Sequence, residues 1–196
     1  AAQAADADGR DLLCIAAARG DGAMIDALLA HGADPHRRDP GGRDALLCAA
    51  QRGDAAIATR LLAAGADARH ADASGHTALA AAAAQGDAQT VRVLLSQGAQ
   101  VDATDQGGVT PLMRAVMGDH GDVVQALLGA GARTDARDRD GDTALTLAAR
   151  DASAPVVRML LAAGAATNYR NGNRANARDI AESLHREAVA GLLTDR

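Results

Sequence analysis

Bulky apolar residues fall in a fixed rhythm along this chain of 196 residues. Leucine doublets stand at Leu28-Leu29, Leu61-Leu62, Leu94-Leu95, Leu127-Leu128 and Leu160-Leu161. A Gly-Ala pair closes each doublet (Gly32, Gly65, Gly98, Gly131, Gly164), always 33 residues from the next. A second glycine series (Gly9, Gly42, Gly75, Gly108, Gly141) and an aspartate series (Asp6, Asp39, Asp72, Asp105, Asp138) keep the same period. Self-similarity at such a period marks a repeat architecture. Five units follow, 6–38, 39–71, 72–104, 105–137 and 138–170, with a degenerate cap at 171–196. With no linker between units, the expectation is one domain over 1–196.

Each unit predicts the same elements. The glycine at its fourth position suits the left-handed backbone of a tight turn. Asp11, Asp44, Thr77, Thr110 and Thr143 then offer N-caps for a first helix, and Pro111 fits just inside one of them. That helix is rich in small residues (Ala16–Ala18, Ala49-Ala50, Ala80–Ala84, Ala148-Ala149), which allow close approach. A break follows at Gly20, Gly53 and Gly86. A second helix carries bulk at helical spacing, as in Val91, Leu94 and Leu95, and the Gly of Gly-Ala ends it as a left-handed cap. Such a pair cannot bury its apolar face alone, so the units must stack.

Composition sharpens this picture. Of the 196 residues 52 are Ala, one is Tyr, and Phe, Trp and Lys are absent. A core so poor in bulk is thin and is filled by helices in close contact. Without Lys there is no phosphate-loop or Schiff-base chemistry. Without aromatic platforms, and with a net charge of -5, nucleic-acid binding is disfavoured. No apolar run reaches the length that spans a bilayer. Cys14 and Cys48 are too few for a disulfide framework and read as small buried apolar residues. The chain begins Ala-Ala-Gln rather than with Met. That fits a cytoplasmic protein, or a periplasmic one that has lost a signal peptide.

Gly108-Val109-Thr110-Pro111-Leu112, followed by Val123-Val124, Leu127-Leu128 and Gly131-Ala132, resembles the ankyrin repeat, and the likeness runs through nearly the whole chain. The resemblance implies an all-α solenoid of stacked helix-turn-helix units with short β-hairpin or loop tips. It also implies a non-enzymatic module that grips a protein partner on its concave side. The family's His of the first helix is replaced by Cys14, Leu47, Ala80, Met113 and Thr146, so its hydrogen bonds must be absent or supplied otherwise. The inter-helix glycine becomes Asp119 and Ala152, and Arg178 stands at a usual Leu in the terminal cap.

Candidate chemistry is sparse. Asp119-His120-Gly121-Asp122 is the densest group of possible metal ligands, but it lies on an expected inter-helix turn without a second cluster. Ser74 and His76 share an open tip, where a nucleophile would lack a sheltered base. The recurring aspartates read as capping and turn residues. No catalytic residue, cofactor or metal is therefore expected.

In the ankyrin family, positions 2, 3, 5, 13, 14 and 33 of a unit point to the concave face. Here they carry nine arginines (Arg10, Arg19, Arg38, Arg43, Arg52, Arg137, Arg139, Arg150, Arg170) against four aspartates (Asp8, Asp140, Asp142, Asp151). A neutral centre holds His76, Gln85, Val109 and Met117. The expectation is a monomeric module binding an acidic protein surface, with no membrane partner. Its Ala-rich, Lys-free composition points to a bacterium of high genomic GC. Bacterial ankyrin proteins similar to it include immunity, accessory and effector proteins. A regulatory subunit or enzyme-associated domain is the rival reading, and nucleic-acid binding a weaker one.

Overall fold

The computed structural model describes residues 11–193 and is helical, with twelve helices and no sheet among them. The chain packs as two compact units, one reaching to Gln100 and the other beginning at Val101.

The first unit holds α1 (Leu12–Arg19), α2 (Gly22–Ala30), α3 (Ala45–Arg52), α4 (Ala55–Ala63), α5 (Ala78–Gln85) and α6 (Ala88–Ser96). The odd-numbered helices stack as α1 on α3 and α3 on α5, and the even-numbered ones as α2 on α4 and α4 on α6. The second unit repeats the scheme with α7 (Pro111–Met117), α8 (Gly121–Gly129), α9 (Ala144–Asp151), α10 (Ala154–Ala162), α11 (Ala177–Ser183) and α12 (Glu187–Ala190). There α7 packs on α9 and α9 on α11, with α8 against α10. Alanine makes this possible: Ala16, Ala17, Ala49, Ala50, Ala82, Ala83, Ala115, Ala148 and Ala149 are buried where stacked helices meet. Bulk comes from one large residue or two per helix, such as Leu79, Leu94, Leu112 and Leu127.

Helix ends follow the sequence signals with instructive exceptions. Asp44, Thr77, Thr110 and Thr143 cap the helices that they precede, each accepting from the N–H three residues on. Asp11 occupies the same place but makes no capping bond, and its Oδ1 is buried without a hydrogen-bond partner. The missing histidine is replaced in two units: the Thr143 N–H donates to Thr146 Oγ1 at 2.8 Å, and the Thr110 N–H to the Met113 sulfur at 3.5 Å. Gly20, Gly53 and Gly86, expected as breaks, end their helices in the left-handed conformation. Asp119 keeps that conformation with φ 54°, and its Oδ1 accepts from the Ser153 N–H at 2.8 Å. Ala152 abandons it for extended backbone. At the end of α9 the carbonyls of Ala148, Ala149 and Ala152 accept from the Arg186 guanidinium, that of Ala148 in addition to the Ala152 N–H.

The two cysteines overturn the expectation of independent apolar residues. Both are buried, but Cys14 and Cys48 are joined as a disulfide, with Cα atoms 5.6 Å apart. It ties α1 to α3. Their positions in consecutive units are offset by one residue, which the packing of α1 against α3 brings into reach.

The tips are turns rather than strands. One isolated bridge, between Ala71 and Thr77, is present outside any strand among the described residues. Each tip is organised by the aspartate that leads its unit. Asp39 Oδ1 accepts from the N–H groups of Gly41 and Arg43. Asp72 serves Ser74 and His76 in the same way, Asp105 serves Gly107 and Val109, and Asp138 serves Asp140 and Asp142. Asn171 does so for Asn173 and Ala175. Successive tips are joined by main-chain bonds: Ala73 N–H to Gly41 O at 3.0 Å, Arg139 N–H to Gly107 O at 2.8 Å, and Gly172 N–H to Asp140 O at 2.7 Å. This approach is why Gly42 must be glycine. Its φ is 80°, and a Cβ there would sit 2.9 Å from the Ala73 nitrogen.

Candidate partner-binding face

In the first unit an open recess of about 380 Å³ lies where α1 meets α3. Cys14, Cys48, Ile15 and Ala18 line it together with Arg19, Arg43 and Gln51. The disulfide and Gln51 had no place in the sequence reading of this face. Two cysteines about one repeat apart on adjacent first helices were the signal that could have found the bond.

The face positions differ sharply in how their charges are used. Arg10 and Asp8 lie outside the described residues. Arg19 is exposed and makes no ion pair among the described residues. Arg38 is also exposed, close enough for its charge to act on Asp44. Arg43, by contrast, donates from Nε to Asp39 Oδ2 at 2.8 Å, with its terminal nitrogen at 2.7 Å from the same oxygen. Arg52 reaches back to the Ala18 carbonyl at 3.4 Å and to within 3.8 Å of Asp54. His76 lies against its tip aspartate, Asp72, at 3.2 Å, and Gln85 is exposed at the end of α5.

In the second unit Val109 is half-buried beside its tip and Met117 is exposed. Arg137 donates to the carbonyls of Gly141 and Arg170, at 3.1 and 2.5 Å. Its guanidinium also lies over the Tyr169 ring, 5.9 Å from the centroid. Arg150 pairs with Asp142 at 3.0 Å and Arg170 with Asp179 at 3.0 Å. The Arg139 side chain is exposed without an ion pair among the described residues. Asp142 is buried rather than presented on a face, and its Oδ1 accepts from the Asn171 amide. Several of the nine arginines are thus matched within the protein. Asp39, which belongs to the tip turn and not to the face positions, neutralises Arg43.

Electrostatics distinguishes the tip aspartates from the buried caps. Burial pushes against the charge of Asp39, but the N–H groups of Arg43 and Gly41 and the Arg43 guanidinium outweigh it, holding the carboxyl below its ordinary range. Asp105 is held low in the same way, against burial, by Val109, Gly107 and Arg114. At Asp44 burial wins over the Leu47 N–H, His70 and Arg38, and its pKa is raised. Asp11 is also raised by burial, with Arg37 opposing.

Of the two groups singled out for chemistry, Ser74 and His76 both bond to Asp72 within their tip. Asp119 is committed to Ser153, and the His120 ring folds over Gly118. No three potential metal ligands converge among the described residues, and none of the helices is long and apolar enough to cross a membrane.

A search of curated proteins returns no match. The family model described as "Ankyrin repeats (3 copies)" matches the chain in four overlapping windows, 13–105, 46–138, 81–171 and 112–195. Matched over nearly its whole length, and built of capped helix pairs with aspartate-led tips, the chain belongs to the ankyrin repeat family.

Proposed function

We propose that the protein binds an acidic segment of a partner protein through the arginines and rigid tips of its face positions. Ankyrin repeats are in general protein–protein interaction modules and are typically non-enzymatic. The observation that carries the acidic preference is Arg19, exposed beside an apolar-floored recess with no counter-ion among the described residues. Arginine suits this work because its planar fork binds carboxylates in a bidentate way. The tips add preorganisation, because their backbone is locked by Asp39, Asp72, Asp105 and Asp138 before any partner arrives. A bacterial immunity, inhibitor or accessory protein would work in this mode, alone as a monomer.

Arg43 is a poor choice for testing the proposal. Reversing it would set two like charges against each other in the tip at Asp39. Arg19→Glu leaves that tip intact. Affinity for a partner captured from the native lysate should fall at least tenfold in Arg19→Glu and stay unchanged in Arg92→Glu, on the exposed side of α6. The parent association rate should decline with salt and the variant's much less. Equal affinity of parent and Arg19→Glu refutes the acidic-partner reading.

A further inference from the structure

We infer that the Cys14–Cys48 disulfide is a redox-operated clamp on the first helix pair, holding α1 and α2 in place only while it is oxidised. The bond crosses from one repeat to the next over a sequence separation of 34. A bond closing such a loop stabilises chiefly by restricting the unfolded chain. What it ties down is otherwise weakly held. In α1, Leu13 is the one large side chain among those fully buried, the remaining buried positions being Cys14, Ala16 and Ala17. Small residues bury little apolar area and so contribute little each. The helix start is also weak, since Asp11 gives no cap and its buried Oδ1 has no hydrogen bond among the described residues, only the Arg37 guanidinium at 3.8 Å. α2 adds Ile25 and Leu28 to the buried set, and its exposed Arg60–Asp26 ion pair with α4 is a type of contact worth little in water. By comparison α3 has a capped start and buries both Leu46 and Leu47.

The bond is also reachable. Both cysteines line the open recess and, though buried, are met by a small dithiol when the helix pair opens locally. One dithiol thiolate attacks a cysteine sulfur and forms a mixed disulfide, expelling the other cysteine as thiolate. The second dithiol sulfur then displaces the remaining cysteine. Cys14 and Cys48 leave as two thiols after taking up two electrons and two protons, and the dithiol departs as a disulfide. Without the clamp, α1 is held by Leu13 and its alanine-lined contacts with α3, and a helix with so little buried bulk opens readily by local unfolding. The Arg19 wall of the recess is lost with it. That last consequence, binding in the oxidised form alone, rests on the acidic-partner reading; the clamp itself does not.

Hydrogen exchange on the full chain, oxidised and then reduced with dithiothreitol, tests the clamp. Reduction should speed exchange in residues 12–30 by at least about tenfold, while residues 111–129 stay unchanged. The Cys14→Ser/Cys48→Ser protein should match the reduced parent with no reductant present. Unchanged exchange in 12–30, or an equal rise in both segments, overturns the proposal, as does a double variant that matches the oxidised parent. A labelled ten-residue polyglutamate peptide supplies the second readout. Its binding to the oxidised protein and loss on reduction support gating of the face. If it binds both forms equally, the gating is refuted. If it binds neither while 12–30 still loosens, the acidic-partner reading fails and the clamp stands.

Discussion

Removing the Arg186 guanidinium should destabilise the second unit well beyond the effect of an ordinary surface substitution. Its Nη1 donates to Ala148 O at 3.0 Å and to Ala149 O at 2.9 Å, and Nη2 donates to Ala152 O. These carbonyls lie where α9 ends without the left-handed glycine that closes α1, α3 and α5. A hydrogen bond to a charged group contributes about 1.5–3 kcal/mol. Three bonds on one half-buried fork do not add in full, because water recovers part of the loss. Arg186→Ala should therefore cost about 2–4 kcal/mol, a fall of roughly 5–12 °C in Tm for a chain of this size. Arg186→Lys keeps the charge but not the fork and should lose about half as much. Thermal and urea unfolding measure the cost. Faster amide exchange in Ala144–Asp151, with Ala45–Arg52 unaffected, would localise it. If Arg186→Ala lies within about 0.5 kcal/mol of the parent, or if Lys substitutes fully, the guanidinium is not acting as the cap of α9.

Four further outcomes follow from the burial and charge pattern. Asp39→Ala removes the oxygen that accepts both tip N–H bonds and should cost about 2–3 kcal/mol. Asp39→Asn keeps that acceptor, as Asn171 does in its own tip, and should lose about 1 kcal/mol or less with the Arg43 pair; equal costs in urea melts would refute the tip model. Because Asp39 and Asp105 are held below their ordinary pKa in the folded chain, their stabilisation should be complete above pH 3.8 and disappear as pH falls through the lowered values. Asp44 has the opposite sign: its folded pKa is raised, so Asp44→Asn, which still caps α3, should stabilise the protein at neutral pH, and the gain should vanish below pH 3.8. No gain at pH 7 in a thermal melt would contradict the burial cost. Ala82, fully buried in α5, should tolerate Leu only at about 1–3 kcal/mol, whereas Ala73→Leu on an exposed tip should be near neutral; similar melting temperatures for the two would contradict the packing.

The fold was legible because glycine, leucine and capping residues each report local backbone needs, and these recur with the repeat. Gly32 and Gly65 mark helix ends for the same reason, and Thr110-Pro111 marks a helix start without reference to the rest of the chain. Properties set by packing between units were not legible. The Cys14–Cys48 bond depends on how α1 lies against α3. Arg186 replaces a glycine 34 residues earlier in the chain, at Ala152, through a contact between repeats. The candidate face was legible only as a set of positions. Counting arginines there overstated its charge, because the Asp39 that neutralises Arg43 belongs to the turn, and because Asp142 is buried under Arg150 and Asn171. Asp11 carries the residue type of a cap without making the bond, which its sequence context does not reveal.

The aspartate-led tips also bear on how such a chain can change over generations. Each tip is folded by a side chain of its own unit, and within each compact unit its neighbour is met through main-chain groups such as Gly41 O and Gly107 O. Shape is therefore settled by Asp39 and its counterparts, without reference to the residues displayed beside them. Arg43, His76 and Val109 occupy equivalent places and differ in charge, polarity and size, yet the turn beneath them is the same. Mutation can rewrite the displayed residues without renegotiating the scaffold. Recombination between copies can add or delete whole units at the same seam. A lineage built this way can exchange one partner for another in small steps, each of them a folded protein.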